Sequence, residues 1–208
     1  MTKEEIEDHL RRAFPATVRT VIVEALHTAY YDAQEHWNEA IGCNGSTFGT
    51  DVYNFACHRL AKCVDDLGED ASVASRHPAF RLSVGGFDVG CHKVGQSESE
   101  PISKCFPQSE FAAGTLASPQ LDLFGTTGPQ KPSGMVIAHQ GSLERGLCAV
   151  YMCLPDSIND RGRIDHWGHT ELLWKRGQEQ SDRPLVGVSL PPVEEVAVPL
   201  VRRKGKPA

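Results

Sequence analysis

His166, His169 and Glu171 fall within six residues of one another, and Cys57, His58 and Cys63 within seven, so each trio offers donor types that zinc accepts. Neither trio has the spacing of a zinc site. Three residues apart on a strand, His166 and His169 are expected on opposite faces; six apart on a helix, Cys57 and Cys63 do not stack. Asp88 and Lys93 on a strand, with Glu24 or Glu35 from a helix, offer a second chemistry, carboxylates holding a divalent ion as in a nuclease. The acid such a site needs two residues before the lysine is replaced by Cys91. Gly86-Phe87-Asp88-Val89-Gly90 has glycines but no helix after it, and no phosphate-cradling loop or Gly-x-Ser-x-Gly elbow occurs. The expectation is therefore no catalytic residue, no metal and no cofactor.

One short stretch carries a binding chemistry instead. Pro119-Gln120-Leu121-Asp122-Leu123-Phe124-Gly125 holds three large apolar side chains between a proline and a glycine, inside a segment (95–134) in which 16 of 40 residues are Gly, Pro or Ser. Such a composition favours an exposed loop over a packed strand, and long loops in compact domains tend to be functional. Gln120, Leu121, Asp122, Leu123 and Phe124 resemble the docking peptide of proteins that bind the bacterial DNA polymerase III β sliding clamp: Gln-Leu, then Ser or Asp, then Leu-Phe. All five positions match, and the resemblance covers these five of 208 residues only. It implies that Leu123 and Phe124 enter a hydrophobic pocket of the clamp, that Leu121 fills a neighbouring depression, and that Gln120 hydrogen-bonds at the far end. The competing expectation is that the same apolar residues tuck the loop onto their own domain.

A chain that occupies the clamp pocket without an enzyme signature would compete with the polymerase. The resemblance thus points to a regulator or inhibitor of replication elongation, similar in principle to the SocB class of bacterial toxins, with an antitoxin or a protease adaptor as a further partner. The alternative is a clamp-tethered DNA repair or processing enzyme, which requires acids such as Asp88, Asp165 and Glu171 to converge.

Composition agrees with a protein-binding role. A net charge of −6 counts against direct, sequence-independent DNA binding, which draws its affinity from clustered Lys and Arg; only Arg202, Arg203, Lys204 and Lys206 in the tail are locally basic. No run of 18 apolar residues is present, so no membrane span is expected. The acidic start, Met1 to Asp8, lacks a basic head and apolar stretch, and seven cysteines without a Cys-x-x-Cys read as reduced thiols. Cytoplasmic location, at the replisome or nucleoid, is the corresponding expectation.

The elements that must position these residues follow from periodicity. Ile6, Leu10, Ala13 and Phe14 recur at helical spacing. Val18 through Ala40 repeat it after Pro15, up to a stop at Gly42, and Val52 through Val64 mark a third helix from about 50 to 67. From residue 79 the period becomes two, and Gly85-Gly86 between apolar runs predicts a hairpin over 79–94. After the insert, runs at 135–139, 147–154 and 164–169 predict a meander separated at Gln140-Gly141 and at Pro155-Asp156-Ser157; the proline-rich 185–200 suits a sheet edge. The expected architecture is one α+β domain: helices in 1–68, the hairpin, a flexible insert at 95–134, a mainly antiparallel sheet in 135–200 and a basic tail at 201–208.

Overall fold

Apolar residues at helical spacing give three N-terminal helices in the computed structural model, which describes residues 3–69, 71–75, 80–102, 134–160 and 164–178. Helix α1 (Lys3–Ala13) buries Leu10 and leads into buried Phe14. Helix α2 (Ala16–His36) follows Pro15, whose φ of −61° suits a helix entry, and buries Val18, Ile22, Val23, Ala25, Leu26, Ala29, Tyr30 and Ala33 along one face. It stops at His36, short of the predicted Ala40. Asn38 accepts a hydrogen bond from the Ala40 N–H and caps a separate 3-10 turn (Glu39–Ile41), and Gly42, at φ +91°, closes that turn rather than the helix. Helix α3 (Gly45–Lys62) begins five residues before the predicted Thr50. The Asn44 side chain receives the Ser46 and Thr47 N–H groups, and Thr47 reciprocates to the Asn44 backbone, a capping box that compensates for glycine in the first turns.

Six strands follow: β1 (Ser72–Ser75), β2 (Arg81–Val84), β3 (Phe87–Gly95), β4 (Gly134–Ser142), β5 (Gly146–Ile158) and β6 (Ile164–Lys175). They lie in chain order across one sheet, antiparallel except for β3 and β4, which run parallel. The α+β class stands, with helices first and a mostly antiparallel sheet after. The predicted hairpin forms at Gly85 and Gly86, both at positive φ (+55° and +82°) as a tight two-residue turn demands.

Two predicted breaks are displaced. Gln140 and Gly141 stay within β4, and the turn falls at 143–145; Pro155 to Ser157 stay within β5, where the ladder to β6 shifts register around the proline. A proline inside a strand lacks the N–H the ladder needs, so a bulge accommodates it without ending the strand.

Alternate residues of β4 enter different clusters. Met135 and Ile137 join Leu26, Phe48, Val52, Phe87 and Met152 in the main core, while Val136 and Ala138 join Val94, Cys153 and Ile164. With a side-chain period of two, these are opposite faces, and the helices cover the first. Burial on both faces explains why β4 reads as a continuous apolar run rather than an alternating one.

Gly85 ties α1 to the hairpin. A Cβ there would stand 2.5 Å from the Ala13 Cβ and 2.8 Å from its Cα. Gly85→Ala is expected to destabilise the fold by about 2 to 4 kcal/mol, combining left-handed strain with backbone overpacking. Urea denaturation measures it, and a loss below about 1 kcal/mol would mean that α1 shifts freely.

Among the described residues no helix is long and apolar enough to cross a membrane. Every described residue belongs to one compact unit, Met1–Gln178. The predicted edge stretch at 185–200 and the basic tail at 201–208 lie outside the described residues.

Candidate functional site

Strands β3 and β4 pair in parallel, and of the segment 96–133 that joins them residues 96–102 are described. Its described beginning is fastened to the sheet. The Gln96 N–H donates to Glu100 Oε2 (3.1 Å), Gln140 Nε2 donates to the Glu100 carbonyl (3.0 Å), and Arg145 pairs with Glu98. Backbone hydrogen bonding and then Arg145 hold the Glu98 carboxyl below the usual carboxylate range. Ile102 packs against the second-face cluster. The segment expected as a flexible insert from residue 95 thus starts with a strand residue, Gly95, and a hydrogen-bonded turn. Gln120, Leu121, Asp122, Leu123 and Phe124 lie outside the described residues.

The chemistry-bearing residues are brought together only in part. β6 skips a residue against β5, with Leu154 opposite His169 and Pro155 opposite Trp167, so faces cannot be counted straight through Gly168. His169 and Glu171 line a cleft of about 490 Å³ with Glu7 and Arg11 of α1, whereas His166 is exposed elsewhere on the strand. Glu171 is ion-paired with Arg19 of α2, and His169 Nε2 is buried with no hydrogen-bond partner. Among the described residues no three His, Cys, Asp or Glu side chains gather as a metal site.

Cys57 is half-buried beside Tyr53 and its thiol is pushed up to about 11 by burial, His58 is exposed, and Cys63 is the C-cap of α3. None of the six described cysteines is in a disulfide, and burial raises Cys57, Cys63, Cys91 and Cys148, which keeps these thiols protonated and unreactive.

Nor do the acids converge. The β3–β4 register is unbroken from Asp88 to Lys93, so their odd spacing puts them on opposite faces: Asp88 against Arg81 (3.1 Å), Lys93 over the Phe48 ring (5.4 Å) on the helix side. Glu24 and Glu35 are exposed on α2. Asp165 sits three strands away from Asp88, about 14 Å at ordinary strand spacing, and Glu171 is engaged with Arg19.

A polar pair unforeseen in the sequence lies in the core. Tyr30 Oη and His139 Nδ1 are 2.9 Å apart, His139 is fully buried, and its Nε2 has no partner. Burial, reinforced by His92 and Lys93, lowers His139 to about 3, and burial lowers His92 to about 4. Gly141 makes room for the pair, since a Cβ there would come within 2.4 Å of the Tyr30 ring. The available signal was one histidine and one glycine at the end of an apolar strand, with nothing local to name Tyr30, 109 residues earlier. Compared with protein-family models, with curated proteins and with solved structures, the chain finds no match.

Proposed function

We propose that this protein binds the bacterial DNA polymerase III β sliding clamp through Gln120 to Phe124, competes there with the polymerase and other clients, and so inhibits or regulates replication elongation. The observation that carries the reading is the five-for-five match to the docking pattern. The strand order supports it. The six-stranded ladder is built from described residues before and after the peptide, so occupancy of a partner's groove by 120–124 does not require opening that ladder. The separation of Asp88, Asp165 and Glu171 weighs for a binder over the clamp-tethered nuclease-like alternative.

Burying Leu121, Leu123 and Phe124 supplies a gross gain of roughly 5 to 9 kcal/mol, part of which is offset by ordering the segment. A contact in the micromolar range follows, suited to competition for a shared pocket. An inhibitor of this type needs an antitoxin or a protease adaptor as its counterpart in the cell. Induced expression is expected to stop growth and disperse replication foci, scored by microscopy of a fluorescent replisome subunit. Undisturbed foci at high protein level would refute the inhibitory role.

A further inference from the structure

The chain holds four asparagines, Asn38, Asn44, Asn54 and Asn159, and of these Asn44 is the one followed by glycine. An asparagine amide can be lost without an enzyme. The backbone nitrogen of the next residue, once deprotonated, attacks Cγ; ammonia leaves, and water opens the resulting succinimide to aspartate or isoaspartate. A following glycine favours the attack, because no Cβ crowds the nitrogen and the backbone turns freely.

The fold leaves this pair open to reaction. Asn44 and Gly45 are both exposed at the start of α3, and a Cβ on Gly45 would meet nothing within 4 Å. Gly45 is the first residue of the helix, where an N–H has no acceptor within the helix. The cap also aims two donors at the amide carbonyl: Asn44 Oδ1 receives the Ser46 N–H at 2.9 Å and the Thr47 N–H at 3.2 Å. When nitrogen adds to Cγ that oxygen becomes an oxyanion, which both donors stabilise. The positive end of the helix dipole favours the deprotonated nitrogen and the oxyanion alike.

The other asparagines lack this combination. Asn38 receives a single N–H, from Ala40, and precedes Glu39. Asn54 lies inside α3 before the bulky Phe55, and Asn159 precedes the charged Asp160.

We propose that Asn44 is a spontaneous deamidation site, its side-chain amide displaced as ammonia by the Gly45 nitrogen and replaced through water by aspartate or isoaspartate at the cap of α3. The two products act differently on the fold. Aspartate keeps the acceptor oxygens and adds a charge that suits a helix N-terminus. Isoaspartate lengthens the main chain by a methylene, so the capping box with Thr47 is lost. The first turn it held seats Phe48, 2% exposed, against Tyr30 and Trp37.

Peptide mapping by mass spectrometry follows the full, folded chain through incubation at mildly alkaline pH. Asn44 is expected to convert about tenfold faster than Asn38, Asn54 or Asn159 in the same molecules, a small share of what oxyanion donors achieve in sites shielded from water. Gly45→Ala, which a helix accepts readily, is expected to slow the conversion about tenfold with an unchanged circular dichroism spectrum. Asn44→Asp is expected to keep the urea midpoint at or above that of the unaltered chain, and the isoaspartate fraction isolated by ion exchange to unfold at lower urea. An Asn44 amide that keeps pace with the others or outlasts them in the folded chain overturns the proposal. Conversion confined to the urea-unfolded chain does so too, since the cap then shields the amide. Undiminished conversion in Gly45→Ala overturns it as well, because the open space at Gly45 would not govern the attack.

Discussion

Replacing Leu123 and Phe124 together by alanine is expected to abolish binding to purified clamp in a calorimetric titration. Each side chain contributes about 1.5 to 3 kcal/mol when it leaves water for an apolar pocket, so the pair accounts for about 3 to 6 kcal/mol. A micromolar contact corresponds to about 8 kcal/mol in all, and losing 3 to 6 of it moves the dissociation constant to millimolar or weaker, below detection. The same titration with Gln120→Ala is expected to weaken binding less, because a hydrogen bond to solvent-competent groups contributes about 0.5 to 1.5 kcal/mol. An unchanged affinity in the double variant would assign any clamp contact to another surface and remove the basis of the proposed function. A wild-type protein that gives no heat with the clamp would do so more directly.

Acid is expected to unfold this domain early. His139 and His92 are held neutral in the fold, with values of about 3 and about 4 against an ordinary 6.5. Between those limits the unfolded chain binds protons that the folded chain does not, so stability is intact above pH 6.5 and declines as pH falls toward the folded values. Once fully separated, each histidine contributes a slope of about 1.4 kcal/mol per pH unit, and the two together about 4 kcal/mol between pH 6.5 and 4.5. That is a large part of the 5 to 15 kcal/mol typical of a domain. Urea midpoints at a series of pH values measure the slope, and His139→Gln is expected to remove about half of it whatever its effect at neutral pH. A flat profile over that interval would mean that water or a rearranged Tyr30 partners the imidazolium in the folded state.

Parts of this architecture were legible in the chain because their determinants are local. The apolar period of α2, the positive-φ pair Gly85-Gly86 and the strands flanking them depend on residues within a turn or two of one another. The Asn44 to Thr47 capping box was equally local and was missed only because glycines 45 and 49 masked the helix start. β1, short and half-exposed, has no periodic signal and exists because β2 supplies its hydrogen bonds.

What the residues by themselves determined is the order of helices and the main strands, and the five-residue match at Gln120 to Phe124 on which the proposed docking rests, since both are carried by short stretches of side chains read in sequence. Tertiary structure alone decided the rest. It made β3 and β4 parallel and set Asp88 and Lys93 on opposite faces of β3. It also joined Tyr30 to His139 across 109 residues. The physical reason is that strand pairing and side-chain contact are fixed by which distant surfaces exclude water from one another, a property of the folded whole that no local spacing encodes.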